Sequence, residues 1–368
     1  MNNLKMNIKQ EIFVFLLTII STSAFCFTKN RTTTTFPIVS SQTTTPLIIT
    51  EDEAKVVQIA SHMFANDIAD ISGQTLPINA TIPEKEKQII IAGTIGKSQW
   101  INQLIASKKI EISAIKGNWE SWTIKVIKKP FPGINKALVI VGSDRRATAY
   151  GILELSRMTG VSPWKWWADV IPDKKNEVQL NIQNKTYSSP SVKYRGLFLN
   201  DEDWGLQPWA AKTFEPTTGD IGPKTYAKIF ELMLRLRANT IWPAMHNCTQ
   251  AFYSIPGNAK TADDYAIVVG TSHCEPMLCN INAEWDSKTM GEWRYDTNAD
   301  TIRKLFRKRT KQTANFESIY TIGMRGKHDS PMNAKNLTEK DKIRLMQKVI
   351  ADQRAILEKE KNENAITI

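Results

Sequence analysis

Apolar positions along the chain follow two periods in alternation, one helical and one of strands. Glu51 to Asp70 carries a helical stripe of Ala54, Val57, Ala60, Phe64 and Ile68. QIIIAG (88–93) is a continuous apolar run, the pattern of a strand buried on both faces. Trp122 to Ile127 alternates with period two, and ALVIVGSD (137–144) is again continuous. Asp144 stands where a helix N-cap belongs, and RRATAYGILELSRMTG (145–160) follows, ended by Gly160. These segments predict a compact α/β domain over residues 46–187. The polar, Pro190-containing stretch NKTYSSPSVKYRG marks its end.

From Val192 onward the pattern becomes repeated strand–loop–helix units. YRGLFLN reads as a strand, and Lys224 to Ala238 as an amphipathic helix. NTIWPAMH (239–246) is a second strand; DDYAIVVGTSH (263–273) supplies a short helix or the third. A helix at about Thr301–Gln312 leads to SIYTIGMRGKHD, the fourth strand. Thr338 and Asp341 then cap a long helix with Ile343, Met346, Val349, Ile350 and Leu357 on one face. Alternating β and α of this kind means a parallel sheet, open or closed into a barrel. Residues 188–368 are therefore expected to hold about four βα units.

The polar residues of each unit fall just after its apolar strand. Asp201, Glu202 and Asp203 follow the first strand, and Trp242 and His246 close the second. His273 and Glu275 follow the third, and Arg325, His328 and Asp329 the fourth. Parallel strands bring these ends to one face, where barrel enzymes build their sites. Each acid alone suits a loop start, but four successive strand ends carrying acids, His, Arg and Trp point to a cleft. Paired carboxylates suit glycosidic cleavage, and Trp faces suit sugar rings. The planar fork of Arg325 matches a carboxylate such as that of a uronic acid, or forms an ion pair with Asp329 or Glu275.

Composition narrows the partners. The net charge of +11 could favour an acidic polymer, but it is spread over many Lys-rich segments. Zinc-knuckle and aromatic–basic signatures are missing, so no nucleic acid is expected. Lys5 and Lys9 precede an apolar run, Ile12 to Ile20, then small residues to Ala24. That is a secretory signal over residues 1–26, too short to span a bilayer. A secreted or periplasmic protein follows, with no membrane attachment after cleavage; Phe25 disfavours a lipid anchor at Cys26. The Thr- and Ser-rich residues 27–45 read as a flexible leader. Cys248, Cys274 and Cys279 are read as free thiols, with no metal and no cofactor expected. No nucleotide is expected either, since GSDRRATAYG lacks the glycine triplet of a dinucleotide site. The Trp-dense VSPWKWWADV (161–170) suits packing between two domains better than a sugar platform.

YRGLFLNDEDWGLQPWAAKTFEP, IGPKTYAKIFELMLRLRANTIWPAMH, DDYAIVVGTSHCEPML and YTIGMRGKHDSPM resemble consecutive blocks of glycoside hydrolase family 115. VGSDRRATAYGILELSRMTGVSPWKWWADV resembles that family's noncatalytic N-terminal domain. Together the resemblance covers roughly residues 45 to 355. It implies a secreted xylan α-1,2-glucuronidase that removes glucuronic acid or its 4-O-methyl form from glucuronoxylan or its oligosaccharides. Inversion without a cofactor is implied, on a (β/α)₈ barrel. Carried over, Asp203, Asp329 and Glu275 are the candidate catalytic residues. Asp201, Glu202, Trp242, His246, His273 and Arg325 are the candidate substrate contacts. Acid and base are not distinguished among them.

The family continues beyond this point, with a further catalytic-site Glu implied shortly after the fourth unit. Residues 188–368 fall short of the roughly 250 that such a barrel needs. The expectation is thus an α/β domain followed by the first half of a (β/α)₈ barrel, with little hydrolysis by the chain alone. An inactive remnant or a carbohydrate-binding module is the alternative. Unpaired strand edges favour association, a homodimer among the outcomes.

Overall fold

The computed structural model describes residues 33–41, 43–334, 336–361 and 365–368. The proposed signal segment lies outside these, as do residues 27–32 of the proposed leader. Among the described residues no helix is long and apolar enough to cross a membrane.

The first half is built on a six-stranded sheet. Its strands are β2 (Leu47–Ile48), β3 (Ile78–Asn79), β4 (Gln88–Thr94), β5 (Trp122–Lys128), β6 (Lys136–Gly142) and β8 (Lys185–Tyr187), in the order β3-β2-β4-β6-β5-β8. All neighbours are parallel except those of β5. Ile90, Ala92, Leu138 and Ile140 face helices α1 (Lys55–Ser72) and α3 (Arg145–Thr159). Ile89, Ile91, Ala137, Val139 and Val141 face the other way, onto α2 (Gln99–Ala106). Both faces are covered, which is why these strands read as unbroken apolar runs. Asp144 caps α3 by accepting from the Ala147 amide, and Gly160 ends it at φ 99°, a left-handed position that costs glycine little.

The proposed flexible leader is corrected by the structure over its described part. Thr33–Val39 form β1, paired antiparallel with β7 (Val178–Gln183). Phe36 and Ile38 alternate inward and are fully buried, so the Thr-rich segment is a strand with one core face.

Five further strands run parallel in chain order: β9 (Gly196–Phe198), β10 (Thr240–Trp242), β11 (Val268–Val269), β12 (Ile319–Tyr320) and β13 (Ile366–Thr367). A single parallel bridge between Val269 and Ser318 joins β11 to β12. Helices α4 (Pro223–Arg235), α5 (Asn258–Asp264), α6 (Tyr295–Gln312) and α7 (Glu339–Glu360) lie between successive strands. This is the βα repeat that the sequence predicts, forming an arc rather than a closed barrel among the described residues. The segment 263–273 resolves as the end of α5 followed by β11. Gly196 is required where β9 meets β10, since a Cβ there would fall 1.5 Å from the Thr240 carbonyl oxygen.

The two halves share one apolar core and a set of buried ion pairs. Trp166 packs on Trp209 and Phe214, and Trp167 donates from Nε1 to the Lys228 carbonyl. Asp67 of α1, fully buried, accepts from both Nη atoms of Arg235 at 2.8 and 3.0 Å and from Lys165 at 2.7 Å. The Arg235 side chain is itself only 5% exposed. Deleting one member of such a pair strands the other in low dielectric. Asp67→Ala should therefore lower unfolding free energy by about 3–5 kcal/mol, read as a shift in denaturant midpoint at unchanged slope.

Candidate functional site

Because β9 to β12 are parallel, the loops that follow them emerge at one end of the arc. These loops line a cleft of about 380 Å³ with Asp203, Met245, His246, Asn247, Cys248, Cys274, Asn282, His328 and Asp329. Asp203 and Asp329, from opposite ends of the strand series, face the same space.

The loop after β9 is shaped by Asp201, which turns the chain through the left-handed region at φ 62°. Glu202 then points inward and Asp203 outward. Glu202 is buried; its Oε1 accepts the main-chain N–H groups of both Met245 and His246 at 2.6 Å. This fastens the β10 loop beside the β9 loop. His246 is held at both ring nitrogens, with Nδ1 3.0 Å from Asp203 Oδ1 and Nε2 3.0 Å from Asn200 Oδ1. The Asp203 hydrogen bond, aided by the charges of Glu202, Asp203 and Asp201, raises the imidazole pKa above its usual value despite some burial.

A second histidine–carboxylate couple lies across the cleft. His273 Nε2 sits 2.8 Å from Asp329 Oδ1, and Arg325 donates from Nη2 to the Asp329 carbonyl at 2.6 Å. Arg325 Nη1 is 3.6 Å from the same carboxylate, so the ion-pair reading of Arg325 holds with Asp329 as partner. The His273 hydrogen bond first, then, against a desolvation penalty, the Arg325 charge lower the Asp329 pKa. Asp329 is accordingly a stable, exposed carboxylate. Such a group can accept a proton or orient a water.

Three of the sequence-predicted residues are turned elsewhere, the first being Glu202, a predicted substrate contact that is buried in holding the β10 loop instead of facing the cleft. Trp242 packs edge-to-face on Phe198 at 5.4 Å and lies over Gly270, on the face of the sheet rather than among the cleft side chains. Glu275 is 5% exposed beneath the loops, with Oε2 lacking a hydrogen-bond partner. Burial, then the nearby Glu284 charge, raise its pKa to about 8, although Arg309 opposes the shift. Glu275 is thus a neutral acid at neutral pH. Asn200, Asn282, Cys248 and Cys274 belong to the site yet carry no distinctive sequence signal as members of it. Asn200 is the most legible of them, adjoining the acidic run.

Two clusters place metal-type ligand atoms within 4.8 Å of one another: Asp201, Asp203 and His246, and His273, Cys274 and Asp329. In the first, both imidazole nitrogens already have partners.

Comparison with known proteins bears on this arrangement. Residues 187–368 match the model of glycosyl hydrolase family 115. The structure superposes at TM-score 0.77 and 41% identity on a family GH115 4-O-methyl-α-glucuronidase with specificity for decorated arabinogalactans, over 88% of this chain. The chain spans 41% of that enzyme's length. A GH20 exo-β-N-acetylglucosaminidase from Vibrio harveyi is far more distant, at 10% identity and TM-score 0.49 over 90% of this chain and 51% of that one. Among curated proteins none matches.

The buried acid makes a prediction of its own. The folded state keeps the Glu275 proton that the unfolded chain releases near its ordinary carboxyl value of 4.5. Its contribution is therefore full below that value and is lost as pH rises toward about 8. Glu275→Gln keeps the shape without the titration. Denaturation measured across this interval should show wild type losing a few kcal/mol more than the variant, since each tenfold difference in proton affinity is worth about 1.36 kcal/mol.

Proposed function

The chain belongs to glycosyl hydrolase family 115, and on that premise we propose that its cleft takes a glucuronic acid or 4-O-methylglucuronic acid side chain of a polysaccharide and supports its hydrolytic release. The observation that carries this reading is the facing of two carboxylates, Asp203 and Asp329, each coupled to a histidine, with Arg325 beside one of them. A glycosidic bond needs a proton delivered to the leaving oxygen and a water activated at the anomeric carbon. Asp329, held ionised by His273 and Arg325, suits the second task. The fork of Arg325 suits the carboxylate of the sugar.

Glu275 supports the loop that carries His273 from below, as a neutral acid rather than a cleft carboxylate. Inversion, in which water attacks opposite the leaving group, fits a pair of separated carboxyls acting as acid and base. The resemblance of the strand-end blocks points to glucuronoxylan as the polysaccharide. Decorated arabinogalactan is favoured instead by the specificity of the 41%-identical relative.

Incubation of the purified chain with glucuronoxylan, its oligosaccharides and 4-O-methylglucuronate-decorated arabinogalactan, followed by chromatography of free uronic acid, separates these substrates. Proton NMR of the first product should show the β-anomer if the α-linked sugar is released with inversion. Asp329→Asn should lower turnover by about 10²–10⁴-fold, and Arg325→Lys should chiefly weaken binding, since an ammonium does not reproduce the bidentate fork. Binding without release would replace hydrolysis with carbohydrate capture; neither binding nor release would sink the proposal.

A further inference from the structure

Three of the chain's four histidines gather at this cleft, together with Cys248 and Cys274. Such a collection of imidazole, thiol and carboxylate groups is the donor set of zinc chemistry. We propose that His273, Cys274 and Asp329 form a binding site for a thiophilic divalent cation of the zinc class. The proposal concerns the cation itself and does not depend on the chain's acting on a uronic acid.

The geometry is close to what coordination requires. Asp329 Oδ1 lies 2.8 Å from His273 Nε2 and 3.9 Å from Cys274 Sγ, and the three ligand atoms all fall within 4.8 Å. Tetrahedral zinc, with bonds of about 2.0 Å to nitrogen and oxygen and about 2.3 Å to sulfur, would set its ligand atoms roughly 3.3–3.6 Å apart. Shifts of less than about 1 Å reach that arrangement. The two loops involved are already fastened together, because the Cys274 thiol donates to the His328 carbonyl at 3.3 Å. His273 and Asp329 are exposed, which leaves the ion a path in.

The cluster of Asp201, Asp203 and His246 is the poorer candidate. It lacks a thiol, and its imidazole is committed to Asp203 and Asn200. On binding at the favoured site, the Cys274 thiol loses its proton to water and its sulfur lone pair enters the metal. His273 moves its proton to Nδ1 and coordinates through Nε2, giving up the hydrogen bond to Asp329. The fourth position faces the cleft and takes water. Arg325 competes for the Asp329 carboxylate and lowers affinity, but retains the Asp329 carbonyl as an acceptor.

Cobalt(II) is the spectroscopic probe and zinc the competitor. Titration of the intact chain with cobalt should give one equivalent of binding, a thiolate-to-cobalt charge-transfer band and the strong visible absorption of a four-coordinate ion. Micromolar zinc should bleach both. Cys274→Ser should abolish the charge-transfer band and weaken zinc binding at least about tenfold; Cys248→Ser should keep band and affinity. Asp329→Asn, at an exposed position, should weaken binding while leaving the band. In wild type, zinc should also slow alkylation of Cys274, a readout that needs no variant to fold. The proposal is overturned if micromolar zinc neither binds nor protects Cys274. It is equally overturned if the band vanishes only in Cys248→Ser, or if cobalt binds without a thiolate band and indifferently to Cys274→Ser.

Discussion

Glu120, a carboxylate of the first half buried to 2% exposure, ties the start of the parallel strands to the sheet that precedes them. It accepts from Asn239 Nδ2 at 2.6 Å and pairs with Arg195, the residues that immediately precede β10 and β9. Asn239 in turn accepts from the Arg195 amide at 2.9 Å and donates to the Lys193 carbonyl. The hydrogen bonds thus fix where each strand begins. In a parallel pair the side-chain period is two, so a slip of one residue would turn every side chain to the other face. The register Ile241 against Leu197 and Trp242 against Phe198 follows from that anchor. Glu202 completes the constraint at the far end by gathering the Met245 and His246 amides. Two buried acids therefore hold a three-residue strand pair that is too short to hold its own register firmly.

This constraint explains why the exposed acids of the cleft can be placed so differently from the buried ones. Glu120 and Glu202 are engaged in structure, while Asp203 and Asp329 each meet a histidine and, for Asp329, Arg325 and the Cys274 thiol as well. Glu275 represents a third condition, buried with its proton retained. Carboxylates of the same chemical type thus divide among anchoring, cleft and neutral roles according to what surrounds them.

Much of the fold is legible in the sequence because its signals are local. The Asp144 cap and Gly160 terminus bracket α3, and the continuous apolar runs of β4 and β6 announce cover on both faces. The Thr-rich face of β1 resembles a linker; what makes it a strand is β7, distant in sequence. The same divide runs through the site. Strand-end position identifies the loops that hold Asp203, His246, His273 and Asp329, since parallel strands put all such ends together. It does not tell which way each side chain turns within a loop. Glu202, Glu275 and Trp242 turn away, and Cys274, an ordinary buried thiol by its sequence, turns toward Asp329.

The cleft's balance of charge follows from the same loops. Asp203 and Asp329 each meet a histidine from a neighbouring strand's loop, so adjacent βα units are hydrogen-bonded to one another across the strand ends. A histidine gives a different kind of balance from a lysine: its charge is conditional, and its lone pair is available when the charge is absent. The couple of His246 and Asp203 is biased toward the charged form by surrounding acids, whereas His273 meets a thiol and a carboxylate already steadied by Arg325. One couple is therefore an ion pair set among further acids, and the other lies beside a thiol and a guanidinium. That asymmetry arises from the identities of the residues next to each histidine, on a scaffold whose repeated units are otherwise alike.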